Sequence, residues 1–156
     1  MTLKSLSFLS ILVLFSCGTK KDNSTKPSGG TSELSYINNA KLLNDNTYLL
    51  TKMSKDKNYA FTPEKAVFVG GAKGDSGPKN QRRFLNALLG PNGEKVSYYR
   101  IGSCCGFKTP NALIGDKGLM DKYKVWIEGT KDTTIMYLNM YDADEMFIPV
   151  GFTAKK

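Results

Sequence analysis

The sequence predicts an α+β domain over residues 35–156, with a small, mostly antiparallel sheet of four or five strands and one main helix packed on it. Residues 122–128 and 133–141 alternate apolar and polar side chains, as strands with one buried face do. Residues 79–89 instead place their apolar side chains on one side of a helix. One helical segment among several of strand period is typical of this fold class.

The first elements of the domain are short. Residues 47–55 have loosely helical apolar spacing and predict a short helix, whereas residues 66–69 are β-branched and aromatic and predict a strand. Residues 70–77 are rich in glycine and predict a loop that leads into the main helix.

The main helix has clear boundary signals. Pro78 suits the first turn, and Phe84, Leu85, Leu88 and Leu89 form the apolar side. Residues 90–93, Gly-Pro-Asn-Gly, predict a C-cap glycine, a proline that cannot continue the helix and a turn.

Three strands and a final segment complete the prediction. Residues 95–101 read as a strand, and residues 129–132 form a hairpin loop between the alternating segments 122–128 and 133–141. Residues 147–152 predict a last extended segment packed on the core.

The N-terminus has the layout of an export signal. One lysine precedes an apolar run from Leu6 to Phe15, and small residues follow. The run has about ten residues, and a membrane-spanning helix needs about twenty. We therefore expect residues 1–16 to be a signal peptide.

The signal ends in Leu14-Phe15-Ser16-Cys17, which resembles a lipobox. We expect Cys17 to become the lipid-modified N-terminus, because it lies where the apolar run gives way to a polar segment. Residues 17–34 then form the lipidated Cys and a flexible tether of Gly, Ser, Thr, Lys and Pro. The expected location is the outer membrane, on its periplasmic face or at the cell surface.

The charge balance limits the partners. The formal net charge is +8, from 22 Lys and Arg against 14 Asp and Glu, and only three of the basic residues are Arg. Export argues against nucleic acid, so an anionic glycan, a lipid headgroup or an envelope protein is the expected partner beside the membrane itself. A lysine-rich solubilising surface is the simpler explanation of the charge.

The chain has no histidine. This absence excludes Ser-His-Asp and Cys-His nucleophiles and histidine-ligated zinc, and it removes the usual general base near neutral pH. We therefore expect no cofactor and no metal, and the chain gives no catalytic residue.

Cys104 and Cys105 are adjacent, with Gly102 and Gly106 close on either side. In an oxidising envelope they are a disulfide candidate. A static local staple or two buried free thiols is the simpler interpretation, and a redox role is the alternative. A tetrahedral zinc shell would need more Cys or His than the pair provides.

The glycine-rich loop and the helix start suggest an anion site. Backbone amides at a helix N-terminus favour negative charge, and Lys73, Lys79, Arg82 and Arg83 lie near. A plain connecting loop is the competing interpretation, since neither phosphate-loop nor dinucleotide spacing is present. The acidic residues 142–145 lack the pattern of a calcium loop and predict a solvated turn.

Residues 102–111, Gly-Ser-Cys-Cys-Gly-Phe-Lys-Thr-Pro-Asn, resemble a segment of a group of small flavobacterial lipoproteins. Residues 70–71, 83–88, 90–95, 137–141 and 149–153 are similar to that group too. Members of that group often carry the label 2-dehydro-3-deoxyphosphooctonate aldolase. Such enzymes are barrels of about 200 residues or more. This domain has about 120 residues and lacks alternating strands and helices.

These observations favour a non-catalytic, membrane-anchored envelope lipoprotein that binds a protein, a glycan or another anionic component. The alternatives are a small enzyme, as the aldolase label implies, and a thiol redox module that uses Cys104 and Cys105.

Overall fold

The computed structural model describes residues 36–156 and confirms the predicted α+β class. The predicted signal peptide 1–16, Cys17 and the tether to residue 34 lie outside the described residues. The helix α1 spans Gly77–Ala87. The strands are β1 (Leu42–Asn44), β2 (Thr47–Tyr48), β3 (Val67–Phe68), β4 (Leu88–Leu89), β5 (Val96–Lys108), β6 (Lys117–Ile127), β7 (Thr133–Asn139) and β8 (Thr153–Ala154). Within residues 36–156, no helix has the length and apolar character to span a membrane.

The central sheet has four strands in the order β3-β7-β6-β5. The pairs β5–β6 and β6–β7 are antiparallel, and β3 joins the edge of β7 in parallel. The predicted hairpin loop between β6 and β7 is confirmed, and the Thr130 amide donates to the Ile127 carbonyl at 3.1 Å. Two small antiparallel pairs, β1–β2 and β4–β8, lie outside this sheet.

The core lies between α1 and one face of the sheet. Phe84 and Leu85 of α1 are fully buried in one cluster with alternate residues of two strands: Tyr123 and Val125 of β6, and Met136 and Leu138 of β7. Burying one such apolar side chain contributes about 1.5–3 kcal/mol before entropy costs. The period-two pattern of the strands and the one-sided helix therefore meet in one core, as predicted.

The predicted helix at residues 47–55 is wrong. The Asn44 side chain accepts a hydrogen bond from the Asn46 amide at 3.0 Å, and this local turn joins β1 to β2. Thr47, Tyr48 and Leu50 are buried and Met53 is 57% exposed, so the apolar residues of this segment do not share one buried helical face. The side-chain-capped turn and the pairing of β2 with β1 override the weak helical spacing.

The predicted end of the main helix, at Leu89, is also wrong, by two residues. The helix stops at Ala87, and Gly90 does not act as its cap. Leu88 and Leu89 instead pair with β8, and the Lys155 amide donates to the Ala87 carbonyl at 2.9 Å. The strand β8, which is distant in sequence, thus pairs with the residues that follow the helix. Local sequence signals do not predict a contact of this kind.

The other predicted segments are found, with different lengths. The strand predicted at 66–69 is β3, and the strand predicted at 95–101 continues as β5 through the two cysteines to Lys108. Residues 147–152 pack on the core through Ile148 and Phe152, both 8% exposed, as predicted. They do not form one extended segment, because a turn at Val150 and Gly151, in which the Phe152 amide donates to the Pro149 carbonyl at 3.1 Å, interrupts them.

Candidate functional site

The cysteine pair lies in β5, between irregularities of the strand. The register of β5 against β6 shifts between Arg100 and Gly102 and again between Cys104 and Phe107. Cys104 and Cys105 form a disulfide between adjacent residues, and Cys105 has a φ of 55°, in the left-handed region. Cys104 is half-buried and Cys105 is exposed, so the pair is presented at the surface of the sheet.

The segment before the disulfide is fixed by the buried Asp121. Ser103 Oγ donates to Asp121 Oδ1 at 2.7 Å, and Arg100 donates to the same oxygen from Nε at 3.0 Å and from Nη2 at 2.6 Å. Gln81 of α1 donates to the other carboxylate oxygen at 2.8 Å. The residue Asp121 is 4% exposed, so four donor atoms compensate its burial.

In this cluster, the pKa of Tyr123 and the pKa of Arg100 are both raised. Tyr123 donates its hydroxyl to Gln81 Oε1 at 2.8 Å. Burial, with a smaller contribution from Asp121, raises the pKa of Tyr123 to about 12. The hydrogen bond to Asp121 raises the pKa of Arg100. At neutral pH the phenol is therefore protonated and the guanidinium is charged.

The segment after the disulfide is fixed by a second buried carboxylate, Asp142. It accepts hydrogen bonds from Thr109 Oγ1 at 2.6 Å, from Asn111 Nδ2 at 2.8 Å and from Asn139 Nδ2 at 3.0 Å. Asp142 is 3% exposed, so the prediction of a solvated turn is wrong at this residue. It holds for Asp144 and Glu145, which are exposed. Among the described residues, no group of His, Cys, Asp and Glu is arranged to hold a metal.

The four predicted anion-binding cations do not converge. Lys73 Nζ donates to the Pro110 carbonyl at 3.0 Å, and Arg83 donates to the Asp45 carbonyl and to Asn80 Oδ1 at 2.9 and 3.0 Å. Lys79 is exposed, and Arg82 lies on a different side of α1, in the groove described next. The loop amides of residues 71, 72, 74, 75 and 76 all donate to backbone carbonyls. The loop therefore offers few donors to an anion.

Arg82 lines a groove of about 470 Å³ between α1 and the β5 edge of the sheet. The groove brings it together with Arg100, Asp121, Tyr98 and Tyr99. Burial raises the pKa of Tyr98, and its hydroxyl donates to Asn86 at 2.7 Å. Two arginines against one carboxylate give the groove a net positive charge.

A larger cavity, of about 600 Å³, lies elsewhere, between residues 37–41, 49–52 and 143–146. Its basic and acidic side chains include Lys52 and Glu145, which form an ion pair with each other. Size alone would favour this cavity. The groove at Arg100 is the better candidate, because it combines arginines held in place with aromatic walls.

Sequence reasoning missed Arg100, Asp121, Gln81 and Asp142 as functional or organising residues. A signal was present for two of them. Gln81 precedes Phe84 and Leu85 by three and four residues, on the apolar side of the helix, and Asp121 precedes Tyr123 by two, on the buried side of β6. A polar residue at a core position indicates a buried network.

Comparison with known proteins gives no match: no protein-family model, no curated protein and no solved structure is similar to this chain.

Proposed function

We propose that this protein is a non-catalytic, lipid-anchored binding module of the cell envelope whose groove at Arg100 takes an anionic group of an envelope component. One observation carries the proposal. The Arg100 guanidinium is fixed on the buried Asp121 through Nε and Nη2, while its side chain remains 49% exposed towards the groove. An arginine held in this way presents its remaining donors in a defined direction, with little conformational entropy left to lose on binding.

The neighbouring Arg82 supports the same ligand class. Within residues 36–156 its side chain forms no ion pair and no hydrogen bond, although the residue lines the groove with Arg100. Planar guanidinium groups match carboxylate, sulfate and phosphate oxygens with two parallel hydrogen bonds. The net charge of +8 adds a long-range attraction for an anionic partner.

The groove is tested by titrating the full chain, purified in detergent, with sodium glucuronate, sulfate and phosphate. The chain has three arginines, so the arginine Nε–H signals in an NMR spectrum can be followed one by one. We expect the signals of Arg82 and Arg100 to shift and that of Arg83 to stay. Arg82→Gln should weaken binding of the best of the three anions by about tenfold, the loss typical of a charge-assisted hydrogen bond.

Arg83→Gln is the matched control. It removes the same charge from the same helix, but from a side chain that already binds the Asp45 carbonyl and Asn80. We expect this variant to bind as the unmodified chain does. Equal losses in the two variants would mean that only the overall charge attracts the anion, and the groove would be rejected.

The anchor is part of the proposal and has its own test. The intact mass of the chain from native membranes should show loss of residues 1–16 and acyl groups on Cys17. Cys17→Ala should abolish both the added mass and retention in the membrane. An unacylated N-terminus on the native protein would rule out the anchor.

Exchange of the Cys104–Cys105 disulfide with a dithiol is the second candidate function. The exposure of Cys105 favours it, because an attacking thiolate must reach a sulfur atom. In the exchange a dithiol donor gives two electrons and two protons, so that both cysteines become thiols and the donor becomes a disulfide. The same mass measurement, with alkylation before and after reduction, shows whether the pair is closed in the native protein.

The aldolase label implies a different fold from the one observed. A barrel of that kind alternates eight strands with eight helices. Residues 36–156 contain a four-stranded mixed sheet and one α-helix. Each lysine in this range is exposed or half-buried, whereas a Schiff-base lysine is activated in a desolvated pocket.

A further inference from the structure

The sheet has a second face, opposite α1, that the core does not use. The antiparallel register places Tyr99 of β5 directly across from Lys124 of β6, and Lys122 of β6 across from Tyr137 of β7. Trp126 follows Lys124 by two residues, on the same face. We call Tyr99, Lys122, Lys124, Trp126 and Tyr137 the outer platform.

The outer platform is accessible and has an aromatic edge. Tyr99 is 51% exposed, and the other four residues are half-buried, so all of them meet solvent. The rings of Tyr99 and Trp126 are in contact edge to face, with centroids 6.0 Å apart. Two large rings on a pleated surface form a rigid apolar shelf that costs little side-chain entropy to use.

The charge of the outer platform has one sign. Lys122 and Lys124 form no ion pair with any residue in the range 36–156. Asp121 of β6 lies on the opposite face, where Arg100 and Gln81 bind it. Glu128, just beyond the end of β6, accepts from Lys95 Nζ at 2.8 Å and from Ser97 Oγ at 2.6 Å, so its charge is neutralised locally. The platform therefore complements a ligand that offers both apolar faces and negative charge.

We infer that the outer platform binds the sugar rings of an acidic glycan chain, with Tyr99 and Trp126 stacking on a ring and Lys122 and Lys124 pairing with its carboxylates or sulfates. A pyranose ring has an apolar face of C–H groups that contacts an aromatic ring, and its acidic substituent lies in the ring's plane, within reach of a lysine beside the aromatic shelf. This inference rests on the proposed function, because it names the class of the anionic component.

Tyr99 connects the platform with the groove. The register places its side chain on the outer platform, and the residue is also among those that line the groove with Arg82 and Arg100. The strand β5 is the edge of the sheet, so a chain of sugars can pass over this edge from the platform to the groove. A polymer can therefore contact both sites at once, and multivalency raises its affinity above that of a single acidic sugar.

Trp126 is the chain's one tryptophan and reports on the platform directly. The full chain in detergent is titrated with polygalacturonate, neutral dextran, polyglutamate and single-stranded oligothymidylate while its fluorescence is recorded. We expect polygalacturonate to shift the emission and to bind at least about tenfold tighter than each of the other polymers. Binding of polyglutamate with equal affinity would mean that charge alone acts and would overturn the inference, as would a preference for the oligonucleotide.

Two variants test the contacts while keeping the reporter. Tyr99→Leu and Lys124→Gln should each weaken polygalacturonate binding by about three- to tenfold. Lys131→Gln removes the same charge from the hairpin loop, off the platform, and should change binding by less than about twofold. Platform variants that bind normally would overturn the inference.

The proposal for the groove and the inference for the outer platform can be rejected independently of each other. If Arg82→Gln abolishes glucuronate binding while Tyr99→Leu and Lys124→Gln leave polygalacturonate binding intact, the groove stands and the platform is rejected. If the platform variants weaken polymer binding and Arg82→Gln has no effect on either ligand, the platform stands and the groove is rejected.

Discussion

Replacing Asp142 by alanine is expected to lower the free energy of unfolding by about 3 kcal/mol or more. The substitution leaves three buried side-chain donors, on Thr109, Asn111 and Asn139, without their acceptor. Each unsatisfied buried donor costs about 1–3 kcal/mol. Denaturant unfolding of the full chain, followed by circular dichroism in the far ultraviolet, measures the change.

Asp144→Ala is the matched control, since it removes a carboxylate two residues away that is exposed. We expect a change within about 0.5 kcal/mol. Asp142→Asn keeps one acceptor oxygen and should fall between the two. A loss for Asp142→Ala no greater than that for Asp144→Ala would show that the buried network does not stabilise the fold.

The two buried carboxylates, Asp121 and Asp142, account for the polar residues on either side of the cysteine pair. Ser103 on one side of the disulfide binds Asp121, and Thr109 and Asn111 on the other side bind Asp142. The polar residues hold the two ends, and the disulfide is displayed between them. The segment thus contains residues that are fixed to the core and residues that face outward.

The sequence predicted the elements whose signals are local and repeated. The alternation in β6 and β7 and the one-sided apolar pattern of α1 each extend over seven residues or more, and all three elements were found. The helix predicted at 47–55 failed because a side-chain turn at Asn44 competes with it. The predicted C-cap at Gly90 is wrong because Leu88 and Leu89 pair with β8, which comes from a distant part of the chain.

The candidate site was harder to predict, because its residues come from elements far apart in sequence. Gln81 on α1, Arg100 on β5 and Asp121 on β6 meet only once the sheet has formed. Reasoning from charge found Arg82 but grouped it with Lys73 and Arg83, whose side chains bind other parts of the chain. Spacing along one helix cannot show which cation faces a groove.

Replacing Asp121 by alanine is expected to lower the free energy of unfolding by about 3 kcal/mol. The change leaves the fully buried Gln81 amide without its acceptor and Arg100 without its anchor. Removal of one partner of a buried pair costs about 3–5 kcal/mol, and the half-exposed Arg100 side chain lowers that figure. Denaturant unfolding measures the loss, and the Arg100 Nε–H signal should move towards that of a solvated arginine.

Glu145→Ala provides the contrast, because it breaks the ion pair with Lys52, in which both side chains are more than half exposed. A surface pair of this kind is worth about 0–1 kcal/mol, so we expect a small loss that shrinks further in salt. The coupling between Asp121 and Arg100 follows from a double-mutant cycle with Arg100→Ala. A coupling near zero would mean that Asp121 does not hold the guanidinium, and Arg100 would then have no defined direction in which to meet an anion. A substantial coupling, together with weaker glucuronate binding in Asp121→Asn, would identify Asp121 as the residue that positions Arg100.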